Sequence, residues 1–227
     1  MKTALAFSGG RDSWACLWLN ASRLSEILVI WVNPGKNYPE ALAMIDLAKS
    51  MCPNWLEVKT NREAQNAYEG LPSDVVPIAW TRLGQQVTKQ KPVSVQSYLG
   101  CCFENIAGPL HAAAKANGIT HLIRGQRLDE AHKSPARDGD LVEGITYLQP
   151  IETWTRDEVM AHLATKMEIP DHFAFDHSSL DCYDCTAYVS ASRDRVGWMK
   201  EAHPALYAEY ETRHSALSAA IQEAVNG

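Results

Sequence analysis

Two sets of residues stand out for the chemistry their types and spacing allow. The first is Ser8-Gly9-Gly10-Arg11-Asp12-Ser13. Adjacent glycines permit a tight turn and let backbone N–H groups approach an anion closely. A helix that starts at such a turn adds unpaired N–H groups and the positive end of its dipole. Ser8 and Ser13 bring hydroxyl donors, and Arg11 brings charge. Asp12 is repelled by a phosphate unless it holds the loop or works through Mg²⁺. The hexapeptide reads as a phosphate cradle, with a plain strand-to-helix turn as the alternative. It lacks the Gly-Lys-[Ser/Thr] ending of a Walker A loop and does not follow the Gly-x-Gly-x-x-Gly pattern.

The second set is made of cysteines. Cys101 and Cys102 are adjacent, and Cys182 and Cys185 form a Cys-x-x-Cys pair. Such a pair is a common two-ligand unit for zinc and for iron–sulfur sites. Four thiols in two pairs leave three readings: an iron–sulfur cluster, a structural zinc, or thiols that work in redox chemistry or sulfur carriage. Cys16 and Cys52 stand alone and read as small core residues. His132, Lys133 and Arg137 add local basicity.

These residues need elements to position them. Thr3–Phe7 is a short apolar run that ends in the glycine turn. Ser13–Leu24 has near-helical apolar spacing, and Ile27–Val32 is apolar throughout, as a strand buried on both faces is. Tyr38–Met51 reads as a helix, Trp55–Val58 as a strand, Ile106–Asn117 as a helix with Gly118 at its C-cap. Ile119–Arg124 reads as a strand, and Thr155–Met167 as a helix capped by Thr153 or Thr155, with Glu158 near N3 of the second choice. His203–Val225 makes a C-terminal amphipathic helix. The segment Arg62–Tyr98, with Pro72, Pro77 and Pro92, reads only as a long excursion over the site. Alternating strands and helices predict an α/β fold with a doubly wound, mainly parallel sheet and a helical C-terminal extension. Ligands of such sheets sit at the C-terminal strand ends, where Gly9, Gly10, Gly35 and Gly125 all fall.

The motifs resemble those of the phosphoadenylylsulfate (PAPS) reductase family, within the PP-loop ATP pyrophosphatases of adenine nucleotide alpha-hydrolase-like, Rossmann-like fold. Ser8–Ser13 matches SGGxDS at every fixed position. Asn33-Pro34-Gly35-Lys36-Asn37-Tyr38-Pro39-Glu40 is similar to the DTG-x-x-[FY]-P-E segment, with Asn33 in place of the acid. Gly125–Glu130 resembles G-x-R-x-x-E, which implies that Arg127 faces the nucleotide phosphates or sulfate, where a planar guanidinium suits an oxyanion; a solvated surface arginine is the alternative. Cys101-Cys102, about 80 residues and then Cys182-x-x-Cys185 resemble the arrangement that binds a 4Fe–4S cluster in the iron–sulfur branch. Pro109-Leu110 and Pro150-Ile151…Trp154-Thr155…Glu158-Val159 agree with its flanks. The basic residues that follow the double cysteine in the family are replaced by Phe103-Glu104-Asn105. The likeness runs from Ala4 to about Trp198. It implies a nucleotide-binding domain over 1–199 that includes the cysteine site, with a C-terminal helix over 200–227. It also implies nucleotide contacts from Ser8, Gly9, Gly10, Arg11, Asp12, Ser13, Gly35, Gly125 and Arg127, catalytic roles for Arg127 and Asp12, and metal ligation by Cys101, Cys102, Cys182 and Cys185.

Composition sets the frame. A chain of 227 residues with 46% hydrophobic and 21% charged residues is an ordinary globular one. The formal charge of −6 gives no support for coating nucleic acid. No apolar run approaches the ~18 residues of a membrane span, and the apolar start is too short for a signal peptide. A cytoplasmic location and no membrane partner are expected. Reductases of the family use a further cysteine in a C-terminal tail, whereas no cysteine follows Cys185 here. The expected activity is therefore ATP-dependent adenylation of an acceptor followed by sulfur transfer. The alternatives are a sulfite-forming adenylylsulfate or PAPS reductase and a non-catalytic nucleotide-binding subunit. The cofactors implied are a 4Fe–4S cluster, ATP or another adenine nucleotide, and Mg²⁺. The partners implied are a sulfur- or electron-donor protein and an acceptor that is a tRNA base, DNA or a small molecule; a homo-oligomer stays open.

Overall fold

In the computed structural model, which describes residues 2–89, 93–130, 134–175, 180, 182–188 and 193–226, strands and helices alternate from the start. The chain runs β1 (Thr3–Ala6), α1 (Arg11–Leu19), β2 (Ile27–Asn33), α2 (Pro39–Met51), β3 (Trp55–Lys59), α3 (Arg62–Glu69), β4 (Leu71–Ser73), α4 (Arg82–Thr88), β5 (Val95–Ser97) and α5 (Tyr98–Cys102). It continues through α6 (Gly108–Ala116), β6 (His121–Ile123), β7 (Leu141–Val142), β8 (Ile145–Leu148), α7 (Arg156–Ala164), α8 (Arg193–Ala202) and α9 (Pro204–Asn226). Contacts divide it into two compact units. One holds Met1–Asn33, Pro39–Lys59 and Gly108–Leu180, and the other holds Pro34–Tyr38, Thr60–Ala107 and Asp181–Gly227.

The first unit is a six-stranded sheet in the order β3-β2-β1-β6-β8-β7. All neighbours are parallel except the β7–β8 edge pair. Successive side chains of a strand point to opposite faces, and the two cores follow that rule. Leu5, Val29, Trp31 and Ile123 face α1, α2 and α7 through Trp14, Leu17, Ile45, Ala48, Val159 and Leu163. Ala4, Ile30, Leu122 and Ile145 face α6 through Ala114 and its neighbour Leu110. Both faces of β1, β2 and β6 are thus covered, which explains their unbroken apolar runs. Strand order reverses between β1 and β6, and the turns after these two strands flank that switch point, where open α/β sheets place their ligands.

Local signals set the helix ends. The expected helix Ser13–Leu24 begins two residues earlier and stops at Leu19. Asn20 leaves helical geometry, and its Nδ2 donates to the Cys16 carbonyl at 2.7 Å. Such side-chain bonding competes with helix continuation, and a 3₁₀ turn over Ala21–Glu26 follows. Thr155 caps α7 in a full capping box with Glu158. The β7–β8 hairpin, absent from the sequence reading, turns at Glu143-Gly144, both with positive φ. Cys16 and Cys52 both pack in the sheet core.

The second unit pairs β4 and β5 in parallel. It also shows that Arg62–Tyr98, which the sequence left unreadable beyond a long excursion over the site, holds regular elements. The strands there are three residues long, and Pro72 sits within β4, so no periodicity builds up. Trp80, Val95 and Leu217 form its apolar core, with Leu71, Ile221 and Ala224 against it. Among the described residues, no helix is long and apolar enough to cross a membrane.

Candidate nucleotide and cysteine sites

The loop after β1 is built from backbone. Gly9 has φ +84°, a conformation that favours glycine, and a Cβ there would also press on Ile45 Cδ1 at 3.3 Å. Gly10 is the N-cap of α1 with no side chain capping the helix. Its N–H donates to Ser8 Oγ at 3.4 Å, and Ser13 Oγ donates to the Gly10 carbonyl at 2.8 Å. Ser8 and Ser13 hydroxyls lie 3.3 Å apart. The first helical bond runs from Trp14 N–H to the Gly10 carbonyl. The N–H groups of Arg11, Asp12 and Ser13 therefore begin a helix that no side chain caps, as an anion-binding helix start requires.

Charged side chains lock this loop to the turn after β6. Arg127 is 4% exposed. Its Nε donates to Asp12 Oδ1 at 2.7 Å and its Nη1 to Asp129 Oδ1 at 2.5 Å. Burial works against the Arg127 charge, but Asp12 and Asp129 more than restore it. Burial raises the Asp12 carboxyl, with the Arg127 charge opposing. Asp12 thus holds the loop through Arg127. Arg11 points elsewhere: its Nη1 donates to the carbonyls of Phe173 and Phe175 at 2.8 and 2.7 Å. Burial, joined by the nearby Asp12 charge, pushes the Glu130 carboxyl up to about 7. Gly125 has a steric reason: a Cβ there would lie 2.5 Å from the backbone of Asp12. Asn33, at the end of β2 where the related motif has an acid, donates to Glu57 Oε1 at 2.9 Å.

In the second unit Gly35 has φ +74°, and among the described residues nothing lies within 4 Å of where a Cβ would stand. All four paired cysteines belong to this unit. Cys101 and Cys102 end α5, and a π-helical turn over Phe103–Ala107 follows; such turns are frequent at functional sites. Cys182 bridges to Asn37, and the Cys185 N–H turns back to the Cys182 carbonyl at 3.1 Å. Cys101 and Cys182 are buried, Cys102 and Cys185 half-buried. Burial first, then the Cys102 charge, pushes the Cys101 thiol up to about 12, against the pull of Arg62. Burial also raises Cys185, opposed by the Ala187 N–H and the charges of Arg195 and Arg62.

The surroundings of the thiols are cationic. Arg62 and Arg195 are 3% and 2% exposed. Arg62 pairs with buried Asp184, the residue before Cys185, and Arg213 approaches the same carboxylate at 3.5 Å. Arg195 Nε and Nη2 are buried with no hydrogen-bond partner among the described residues. Burial opposes the Arg62 charge while Cys182, Asp184 and Cys101 favour it. The donor chemistry and this buried positive charge fit an anionic, thiolate-held metal group. Cys101, Cys102, Cys182 and Cys185 are the thiols that would hold such a group. Among the described residues, however, no three His, Cys, Asp or Glu side chains form a metal-holding group. Arg62, Asp184, Arg195 and Tyr188 were not legible as site residues, because partners such as Arg62 and Asp184 lie 122 positions apart. His132 and Lys133 lie outside the described residues, as does Pro92.

The family model of the phosphoadenosine phosphosulfate reductase domain matches residues 2–188. No curated protein matches the sequence. Among solved structures, the chain is similar to a phosphoadenylyl-sulfate (PAPS) reductase from Candida auris in a phosphate complex, with 16% identity, TM-score 0.46, and coverage of 73% of this chain and 72% of that one. It is also similar to yeast FAD synthetase in complex with FAD, at 11% identity and TM-score 0.41 over 71% of this chain and 49% of that one. A predicted subunit of tRNA methyltransferase from Methanocaldococcus jannaschii gives 18% identity and TM-score 0.40 over 88% and 87% of the two chains.

Proposed function

The chain belongs to the phosphoadenosine phosphosulfate reductase domain family, and on that premise we propose that it binds ATP on the Ser8–Ser13 loop and uses it to activate an acceptor for sulfur transfer. The observation that carries the reading is the uncapped start of α1 behind Gly9 and Gly10, locked by the Asp12–Arg127 pair. An acceptor oxygen attacks the α-phosphorus of ATP, and the bond to pyrophosphate breaks. Pyrophosphate carries the departing charge, which the N–H groups of the loop are placed to take up. Arg127, paired with Asp12 and Asp129, holds the loop in place for this, and Mg²⁺ bound with the nucleotide would supply the positive charge. Sulfide-level sulfur from a donor then attacks the activated carbon, the C–O bond breaks and AMP leaves. Oxygen is exchanged for sulfur with no net change of oxidation state. The acceptor is a tRNA base, DNA or a small molecule. A 4Fe–4S cluster on Cys101, Cys102, Cys182 and Cys185, when bound, supplies the site for sulfur or electrons.

The family match itself favours a second reading, in which adenylylsulfate or PAPS is reduced to sulfite. One pair of assays separates them. Anaerobic incubation with ATP, Mg²⁺, a sulfur donor and candidate acceptors is expected to release AMP and pyrophosphate in equal amounts. Incubation with either sulfonucleotide, thioredoxin and a dithiol is expected to release no sulfite above background. Multi-turnover sulfite without ATP cleavage overturns the adenylation reading.

A further inference from the structure

Tyr188 adopts a backbone that its side chain disfavours. Its φ is +61°, in the left-handed region where a bulky aromatic residue is an outlier. Such a conformation persists only where the surroundings impose it, and it clusters at functional sites. The ring of Tyr188 packs on that of Tyr98 with centroids 4.8 Å apart, and its hydroxyl lies 3.4 Å from Cys102 Sγ. Tyr98 opens the helix that ends in Cys101 and Cys102. Tyr188 itself stands three positions after Cys185. A residue from the strand of chain that carries one cysteine pair therefore reaches a sulfur of the other pair.

With Cys102 as a free thiol, either atom can donate. Once Cys102 is a metal-bound thiolate, the sulfur can only accept and the phenol must donate. The residues that follow the adjacent pair, Phe103-Glu104-Asn105, include no basic side chain. Neutral donors stand there instead: Tyr188 at Cys102, and Asn105 Nδ2 at 3.8 Å from Cys101 Sγ. Hydrogen bonds to the sulfurs are one determinant of a cluster's reduction potential. Reduction adds negative charge to the cluster and its sulfurs, so a donated hydrogen bond is stronger in the reduced state. We propose that Tyr188 is a positioning residue that donates a hydrogen bond to the Cys102 thiolate of a bound iron–sulfur cluster and raises its reduction potential. This role rests on the reading of the four cysteines as cluster ligands.

The test uses the full chain, reconstituted anaerobically with ferrous iron and sulfide. Tyr188→Phe removes the hydroxyl and keeps the ring, while Tyr188→Gly also frees the backbone. Iron per chain, apo-protein melting temperature and midpoint potential are measured for each and for the wild type. Tyr188→Phe is expected to keep the wild-type iron content and melting temperature. Its reduced-to-oxidised ratio at the wild-type midpoint is expected to fall roughly tenfold, a downward shift of about 59 mV for a one-electron couple. Tyr188→Gly is expected to shift the potential in the same direction. A Tyr188→Phe potential equal to that of the wild type overturns the proposal and leaves Tyr188 as a packing residue against Tyr98. Wild-type protein that takes up no iron overturns the underlying cluster reading instead, and that result is seen before any variant is made.

Discussion

The phosphate loop of the first unit and the cysteine region of the second are built in opposite ways. The loop is nearly all backbone: six consecutive residues, two glycines and a helix start define it, and one long-range ion pair, Asp12–Arg127, fixes it. The cysteine region draws Arg62, Cys101, Asp184 and Tyr188 from distant parts of the chain. Burial raises its thiols, and buried guanidiniums pull them back. A backbone site exists before its ligand arrives. Around the thiols, buried Arg62 and Asp184 pair with one another, because an uncompensated buried charge is costly.

The largest effect expected from this contrast falls on the cysteine side. Cys182→Ala leaves three thiolates, and anaerobically purified protein is expected to fall from about four irons per chain to near zero, with loss of the broad absorbance near ~400 nm. Colourless wild-type protein with one zinc per chain breaks the comparison on that side. Next is the packing of the loop. Gly125→Ala places a Cβ 2.5 Å from the Asp12 backbone. It is expected to cost about 3 kcal/mol by urea unfolding, as overpacking against backbone does. A loss below about 0.5 kcal/mol would mean that the two turns are not in close register.

The smallest effect sharpens the electrostatic side of the loop. The Glu130 carboxyl is raised from 4.5 to about 7 in the folded chain. Between these values the native state holds more protons than the unfolded one, so stability falls as pH rises through this window. Below about pH 4.5 both states are protonated and Glu130 contributes no pH dependence. Glu130→Gln is expected to remove the decline, gaining on the order of 2 kcal/mol over the wild type at pH 8 and nothing at pH 4. Parallel pH profiles for the two proteins would place Glu130 in water rather than in the loop's field.

Legibility in the sequence followed the same divide. Ile27–Asn33 and α7 with its Thr155–Glu158 box were readable because periodicity and capping are local. The glycines of the loop were readable for the same reason. The role of Asp12 was legible only as a choice between holding the loop and working through Mg²⁺, because the partner that decides it, Arg127, lies 115 positions away. Arg11 was read as loop charge, yet its guanidinium meets the carbonyls of Phe173 and Phe175, which no local pattern announces. Elements of three residues such as β4 and β5 are too short for a period to register.

The central claim is that the loop's backbone is a nucleotide site, and calorimetric titration of ATP into wild-type and Gly10→Val protein tests it most directly. Among the described residues, a Cβ at Gly10 meets only Ser8 Oγ, at 3.5 Å, so a branched side chain there leaves the loop's packing in place and fills the space in front of the α1 N–H groups. Wild-type protein is expected to bind ATP with saturable heat and a raised melting temperature, and Gly10→Val to show neither while keeping its ligand-free melting temperature within about 2 °C. Wild-type protein that binds no adenine nucleotide at millimolar concentration, or Gly10→Val protein that binds as well as the wild type, contradicts the account.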